Sequence, residues 1–531
     1  MFRKRFAALW QGVVRHQTIL TASIGSIVVA IWTVLRHITN GINFDVIGQV
    51  GVTEQWIHGL HDGAVFGSTN YLLKMPLYAL VNSVGWLSPV QRLLVLALIC
   101  SVGAYLLIYL VLRKIARLYG VKNLALLNLG MLWLATIAGR VFWVDYANSR
   151  NLEVAGGLAV LYLMLWILER GATWRRLLGL ITTSGVVFFA DPLQLYIIGG
   201  GMGIVAIATA VRNREHRTRA LWLGVSIVVG AGLSRVFTWV STSLLPVSYL
   251  APPKTTFTLR LDTLTTLVHN VLTSTLRIFD INVFTKAFSV NSFRQLGGIL
   301  LLGLAVYLLV RYRKSAPERP SRILLWLIVW NYVVYTASGN AQIAMTERYL
   351  VLVPLFVITL LGIYGDLPKA TVLRKLTPLW LATVAMSSLL LFGGLILQWP
   401  NRYSLDRPMF ALADFAKAHQ HDFIVTSQVL AIPANYYAGY ETTIVPTVCT
   451  SNDRIETKNL FYDRAAYNGK LGQTNGSVGV IIPADGITSG AFRCSTETIL
   501  KQLGAPKSSE TIPNVGTIYE YSAGSIGIRS L

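Results

Sequence analysis

The chain has 531 residues, of which 53% are hydrophobic and only 13% are charged, and its mean hydropathy is +0.54. This composition excludes an ordinary soluble enzyme, because the apolar residues collect in runs of about 18 to 25, the length that a bilayer requires. The formal net charge is +22, which in a soluble chain would indicate nucleic acid. Here the excess lies in short loops between apolar runs, so we predict the lipid bilayer as the partner and no nucleic acid.

Apolar runs mark the predicted membrane spans. The N-terminus carries Arg3, Lys4 and Arg5 before an apolar run at residues 18–35, and no small-residue cleavage site follows, which predicts an uncleaved signal anchor with a cytoplasmic N-terminus. Ten further runs are centred near residues 100, 130, 160, 183, 203, 230, 303, 329, 355 and 387. The sequence therefore predicts a polytopic α-helical membrane protein with about eleven transmembrane helices.

Basic residues occupy every second loop, as the positive-inside rule requires for a cytoplasmic N-terminus. The short loops on the opposite side contain Asp145, Asp191 and Glu347 instead, with few arginines. The predicted cytoplasmic clusters lie near residues 113–122, 170–176, 212–219, 311–322 and 369–375. The outer loops are predicted at residues 38–90, 140–150, 244–291 and 337–347.

The first outer segment, residues 38–90, is too polar to span a bilayer. Its apolar positions recur at roughly helical spacing, which predicts amphipathic helices lying at the membrane surface. A second amphipathic segment, TLVHNVLTSTLRIFDINVF, is predicted within residues 244–291. The apolar positions of the first segment are Phe44, Ile47, Trp56, Ile57 and Leu60.

The tail beyond residue 399 has no spanning run. Its β-rich runs FIVTS, TTIVP, VGVIIP and TIYEYS alternate with helix-like segments such as MFALADFAKAH and TETILKQLG. We therefore predict a transmembrane region at residues 1–399 and an extracytoplasmic α/β domain at residues 400–531. Cys449 and Cys494 both fall in this domain, where either a disulfide or two separate thiols fit the sequence.

Charged residues gather at the predicted outer ends of the spans: Asp45, Asp145, Asp191, Glu347 and Arg348. They come from four loops, so one shared site at the outer membrane face is geometrically allowed. Acidic residues at the bilayer boundary are costly unless they meet water, a partner or a substrate, which favours a functional interpretation. Polar residues that only set topology or snorkel to the interface are the alternative.

Three further groups have both a functional and a structural interpretation. Arg235 lies about two thirds of the way along a span, where it either contacts a lipid phosphate or snorkels to the interface. Glu54, His58, His61 and Asp62 have helical spacing that either binds a metal or forms a solvated loop edge. Asp191, followed by proline, either breaks a helix at a turn or lines the substrate cavity.

The architecture resembles the GT-C glycosyltransferases, integral membrane enzymes that use lipid-phosphate-linked sugars. The resemblance covers the membrane region. It rests on the signal anchor, the acidic residue of INFDVIGQV, the surface helix in NYLLKMPLYALVN, the acidic loop RVFWVDYANSRNLE, the TERYL motif and the C-terminal domain. It implies that Asp45 acts as catalytic base or binds the acceptor. It also implies that Asp145 is the acidic residue of the second outer loop and that Arg348 lies near the donor phosphate.

Two departures from the family pattern bear on cofactors. The first loop has Asp-Val where several members have paired acids, and the second loop has one Asp rather than a pair. We therefore predict no cofactor and a metal-independent mechanism, with a divalent metal left open. The further candidates are Arg235 for the donor phosphate and Glu54, His58, Asp191 and Glu347 for binding substrate.

These features predict transfer of a sugar from a polyprenyl-phosphate-linked donor to a glycan, lipid or protein acceptor, on the extracytoplasmic face and with inversion. Nucleotide sugars are made in the cytoplasm, so an outward-facing transferase needs a donor that is carried across on a lipid. The phosphate leaving group needs electrostatic support, which Arg348 can provide, and the acceptor hydroxyl needs a base, for which we choose Asp45. A transporter or flippase of a lipid-linked substrate is the alternative, and a ligase of whole glycans also fits the setting.

Overall fold

The computed structural model describes residues 2–40, 44–57, 65–66, 74–137, 150–244, 248–249, 264–281, 292–312, 318–338, 347–365, 371–401, 406–419, 421, 423–439, 443–449, 455–457, 476–484 and 495–522. By its contacts the chain divides into two compact units. Unit 1 comprises residues 1–35, 97–238 and 253–397. Unit 2 comprises residues 36–96, 239–252 and 398–531.

Every predicted apolar run is centred on a helical segment, because long apolar runs in lipid must satisfy their backbone hydrogen bonds internally. The helices before the tail are α1 (Phe2–Asn40), α2 (Phe44–Ile57), α3 (Met75–Asn82), α4 (Pro89–Leu118), α5 (Ala125–Ile137), α6 (Asn151–Arg170), α7 (Trp174–Ala190), α8 (Pro192–Gln194), α9 (Gly201–Arg212), α10 (Arg217–Leu244), α11 (Leu264–Ile278), α12 (Ser292–Tyr312), α13 (Glu318–Ala337), α14 (Leu352–Gly365) and α15 (Thr371–Gln398). A π-helix, Leu195–Gly200, joins α8 to α9, and 3-10 turns cover Glu347–Leu350 and Trp399–Asn401.

Five helical segments among the described residues are long and apolar enough to cross a membrane: Gln17–Leu35, Pro89–Leu118, Asn151–Arg170, Pro192–Arg212 and Arg217–Leu244. Shorter apolar helical stretches lie at Ala125–Thr136, Gln295–Arg311, Leu352–Gly365 and Pro378–Gly394. The protein is therefore an integral membrane protein, while the count of eleven spans and the topology stay predictions.

Unit 1 has one continuous apolar core, in which α14 is the most completely buried helix. Every described side chain from Leu352 to Tyr364 is buried. Close helix approach depends on small residues, as is usual between membrane helices. A Cβ at Gly130 of α5 would lie only 2.9 Å from Ile358 of α14, so glycine is what lets these two helices touch.

Unit 2 contains the predicted tail domain. Its strands and helices are α16 (Arg407–Ala418), β3 (Phe423–Ser427), α17 (Gln428–Tyr437), β4 (Ile444–Cys449), β5 (Ile455–Thr457), β6 (Ser477–Pro483), α18 (Thr496–Leu503), β7 (Ser508–Ile512) and β8 (Gly516–Ser522). The six strands form one sheet in the order β5-β4-β3-β6-β8-β7, with β4, β3 and β6 parallel and the other pairs antiparallel. A separate two-residue pair joins β1 (Val65–Phe66) to β2 (Ser248–Tyr249) in parallel.

Helices cover both faces of the six-stranded sheet, so its central strands are apolar on both sides rather than alternating. On one face Ile424 packs with Leu412 of α16 and Leu430 of α17. On the other face Val425 packs with Ile499 of α18. The predicted strands and the two predicted tail helices are present, whereas α17, β5 and β7 were not predicted.

The first outer segment also belongs to unit 2. A small apolar core combines Ile47 of α2, Tyr78 of α3, Leu93 of α4 and Tyr436 of α17. The helices predicted in residues 38–90 are therefore present, and their buried faces pack partly against the α/β domain. The helix predicted in residues 244–291 is present as α11. Of the two cysteines for which either a disulfide or separate thiols were left open, Cys494 and the side chain of Cys449 lie outside the described part of the chain.

Candidate functional site

Asp191 is the predicted rim acid whose surroundings are best defined. It separates α7 from α8, and only 2% of its surface is exposed. One carboxylate oxygen, Oδ1, accepts from the Leu193 backbone N–H at 3.2 Å, and Oδ2 accepts from Gln194 Nε2 at 3.1 Å. An aspartate cap followed by proline is a favourable way to begin a helix. The aspartate accepts a backbone N–H of the first turn, and proline lacks the N–H that would otherwise need a partner. The helix break predicted at this position is present.

Arg150 connects Asp191 with the TERYL motif. Its Nη1 lies 3.6 Å from Asp191 Oδ1, and the side chains are 28% and 2% exposed, respectively. Its guanidinium carbon lies 6.0 Å from the centre of the Tyr349 ring, which is within cation–π range. Residues from the second outer loop, the α7–α8 junction and TERYL therefore meet within unit 1.

The region after Asp191 is held by close packing around the π-helix. Single-turn π segments are often found at functional sites. Trp330 Nε1 donates to the Tyr196 carbonyl at 2.9 Å, and a Cβ at Gly201 would lie 2.8 Å from the Trp330 ring. On the other side, a Cβ at Gly157 of α6 would meet Gln194 Oε1. Glycines thus allow α6 and α13 to press against the segment that positions Asp191.

Buried amide groups near this cluster have unsatisfied hydrogen-bonding capacity. Asn151, the first residue of α6, is fully buried, and neither its Oδ1 nor its Nδ2 has a hydrogen-bond partner among the described residues. Gln194 Oε1 is also buried and has no hydrogen-bond partner among the described residues. Buried polar atoms almost always find a partner, so these amides are candidates to bind water or a polar ligand.

Unit 2 holds a second charged pair, between Glu54 of α2 and Arg92 of α4. Arg92 Nη1 lies 3.1 Å from Glu54 Oε1, and both side chains are less than one fifth exposed, at 15% and 18%. The Tyr436 hydroxyl donates to the Pro89 carbonyl at 3.5 Å. Burial raises the pKa of Tyr436, and the Glu54 carboxylate adds to this shift. Glu54 therefore connects α2 to the start of α4 beside the α/β domain.

Lys74 is a further cation that the sequence analysis did not single out. It is only 3% exposed at the start of α3, immediately before Met75 and Pro76. Lysine is almost never fully buried without a compensating interaction. A lysine next to a proline-initiated helix in a predicted outer loop was the signal available in the sequence. Arg150 had a similar signal, since it is a cation in a loop that the positive-inside rule leaves poor in cations.

The remaining predicted residues are described only in part. Asp45 is the second residue of α2, and Glu347 and Arg348 begin the 3-10 turn Glu347–Leu350, but their side chains are outside the described part of the chain. Asp145 and His58 lie wholly outside it. Their predicted roles stay predictions, as do the substrate-binding roles of Glu54 and Asp191.

Arg235 has an exposed position on α10, with no carboxylate among the described residues paired to it. Its exposure is compatible with either of its predicted alternatives. Among the described residues, no group of three His, Cys, Asp or Glu side chains could hold a metal ion. His58, His61 and Asp62 of the predicted metal alternative lie outside those residues.

The chain is similar in structure to ArnT from Cupriavidus metallidurans in its apo state. The TM-score is 0.56 at 14% sequence identity, and the match covers 96% of this chain and 98% of ArnT. The chain therefore shares the fold of ArnT. The fold predicted from the family resemblance is thus confirmed, for the helical membrane region and for the small sheet domain. No protein-family profile and no curated protein sequence matches the chain.

Proposed function

We propose that the protein is a membrane glycosyltransferase that moves a sugar from a polyprenyl-phosphate-linked donor to an acceptor on the extracytoplasmic face. The observation that carries the proposal is the structural match to ArnT, a GT-C enzyme that transfers 4-amino-4-deoxy-L-arabinose. Because the match includes both the helical region and the sheet domain, it supports the complete architecture of such an enzyme.

In the proposed reaction the acceptor oxygen attacks the anomeric carbon from the side opposite the phosphate, so the configuration inverts. The bond from the anomeric carbon to the phosphate oxygen breaks, and polyprenyl phosphate leaves as an anion. The acceptor proton passes to the Asp45 carboxylate, which acts as general base. Because the phosphate is a stable anionic leaving group, it needs nearby cations rather than a proton donor.

The contacts of Arg150 with Asp191 and Tyr349 support a position for that phosphate beside the TERYL motif. Arg150 lies beside Tyr349, the residue that follows Arg348 in TERYL. The Arg150 side chain is 28% exposed, so its guanidinium is accessible to a phosphate oxygen, which this group recognises well. We assign Arg150 and Arg348 jointly to the donor phosphate, with Asp145 as the second acidic residue of the site.

The test is consumption of a panel of polyprenyl-phosphate sugars by the purified protein in lipid vesicles with cell-derived acceptors. Asp45→Asn and Arg348→Ala should each abolish turnover, and Arg150→Gln should reduce it by about tenfold or more, the cost of one charge-assisted hydrogen bond. Asp414→Asn and Arg311→Gln, exposed residues of α16 and α12, are the matched controls and should retain full activity.

Two outcomes would contradict the proposal. Turnover that survives Asp45→Asn would remove this residue as the base. Movement of the lipid-linked sugar between leaflets without any transfer to an acceptor would instead identify a flippase.

A further inference from the structure

Helices α9 and α10 form an antiparallel hairpin with an apolar groove between them. The groove has a volume of about 380 Å³ and is lined by nine residues, all apolar. Its floor is made of small residues, Ala206 and Ala210 on α9 with Ala220 and Gly224 on α10. In an integral membrane protein, a groove that opens between two long apolar helices faces the lipid.

The groove is open space rather than a packing defect. A Cβ built at Gly224 would meet no atom within 4 Å. Larger side chains rise on both sides of this floor and are strongly exposed, with Ile207 at 67% and Val228 at 72%. An acyl chain therefore fits between these side chains without displacing any part of the protein.

One end of the groove is strongly basic. Arg212, Arg214 and Arg217 lie in and beside the turn between the two helices, and all three are exposed. Arg212 follows Ala210 by two residues and Arg217 precedes Ala220 by three, so both lie within one helical turn of the groove. Glu215 is the acidic residue of this turn. The ion pairs among the described residues, Arg92 with Glu54, Arg150 with Asp191 and His421 with Glu520, include none of these three arginines.

Arg219, the fourth arginine near this turn, has a structural role that the other three lack. Arg219 donates through Nη1 to the carbonyl oxygens of Leu168 and Glu169, at 3.4 and 3.2 Å, and so caps the end of α6. Arg176 does the same for Arg170 and Gly171, at 2.9 and 2.8 Å. The three exposed arginines at the groove have no such carbonyl partner in the described part of the chain.

We propose that this groove is a binding site for an anionic phospholipid, with one acyl chain in the groove and the phosphate against Arg212 and Arg217. Basic residues at the ends of neighbouring membrane helices attract anionic headgroups, and the apolar floor fixes where the chain lies. A second copy of the protein is a poorer occupant. A two-fold axis along the membrane normal would bring two arginine clusters together, and like charges repel.

The experiment is native mass spectrometry of the full chain in detergent, titrated with phosphatidylglycerol and with phosphatidylcholine of identical chains. We expect the native protein to hold phosphatidylglycerol about thirtyfold more tightly, because two arginines at about 1 kcal/mol each favour a net anionic headgroup over a zwitterionic one. The double variant Arg212→Gln with Arg217→Gln should bring this affinity down to that for phosphatidylcholine. Gly224→Leu, which fills the groove, should weaken the binding of both lipids.

One matched control lies on α10 itself and the other at the end of a different helix. Gly232→Leu places the same side chain into open space on α10 outside the groove, and Arg311→Gln removes an exposed arginine at the end of α12. Neither variant should change the preference for phosphatidylglycerol over phosphatidylcholine. Equal binding of the two lipids by the native protein, or unchanged binding by Gly224→Leu, would overturn the proposal. A dimer that Gly224→Leu dissociates would assign the groove to a second copy, and displacement by equimolar polyprenyl phosphate would assign it to that lipid.

Discussion

Replacing Asp191 by alanine tests the cluster that joins three segments of unit 1. The substitution removes the cap of α8, worth about 1 kcal/mol. It also leaves the buried Gln194 amide without an acceptor, at about 1 kcal/mol or more. The ion pair contributes at most about 1 kcal/mol, because the Arg150 side chain is 28% exposed and therefore screened by solvent. We expect the free energy of unfolding to fall by about 3 kcal/mol.

The assay is unfolding in mixed micelles of increasing dodecyl sulfate fraction, followed by circular dichroism. Asp191→Asn retains an oxygen that can accept from Leu193 and should lose roughly half as much stability. Asp414→Ala, an exposed residue of α16, is the control and should change the unfolding free energy by less than about 0.5 kcal/mol.

A double-mutant cycle isolates the contact itself. Asp191→Asn and Arg150→Gln, measured singly and together, should give a coupling energy of about 0.5 to 1 kcal/mol, as expected for a partly exposed pair. An alanine variant as stable as the native protein would refute the capping role. Strictly additive single variants would refute the pairing between Arg150 and Asp191.

Three further predictions concern unit 2 and are measured by thermal unfolding of the full chain. Burial lowers the pKa of His37, just beyond the first span, to about 4. Between pH 6.5 and 4 the His37 imidazole is therefore protonated in the unfolded chain and neutral in the folded one. About 3 kcal/mol of stability, present above pH 6.5, should be lost as the pH falls toward 4, and His37→Gln should flatten that slope; an unchanged slope would contradict this. The Asn435 amide accepts from the Ile444 N–H at 2.9 Å and donates to the Ile444 carbonyl. Asn435→Ala should lower the free energy of unfolding by about 2 kcal/mol. A loss under about 0.5 kcal/mol would show that these two hydrogen bonds do not stabilise β4. Gly516 has φ +147°, and a Cβ there would lie 1.9 Å from a backbone oxygen. Gly516→Ala should therefore destabilise the sheet by about 2 kcal/mol or more, whereas Gly439→Ala, with φ +69° and open space around it, should cost less.

The apolar runs were sufficient to predict the membrane helices of unit 1. Each such helix satisfies its own backbone hydrogen bonds, so the length of the apolar run in the sequence sets the length of the helix. The tail strands were predicted for a similar reason, since FIVTS and VGVIIP are short β-branched runs between polar segments. Helix α17 was missed because Pro433 interrupts its pattern and its burial depends on Ile424 of the sheet and Tyr78 of α3. Packing of that kind has no local signal.

The sequence alone determined that this is a helical membrane protein with a small α/β domain, and it named the acidic residues at the ends of the helices. Tertiary structure decided which groups meet. Asp191 could be assigned to a helix break from its proline, but its pairing with Arg150 joins the start of α6 to the junction between α7 and α8. Likewise, Gly157 gives no hint in the sequence that it makes room for Gln194. Charges and glycines act through their neighbours in space, and only the packing of the helices brings those neighbours together.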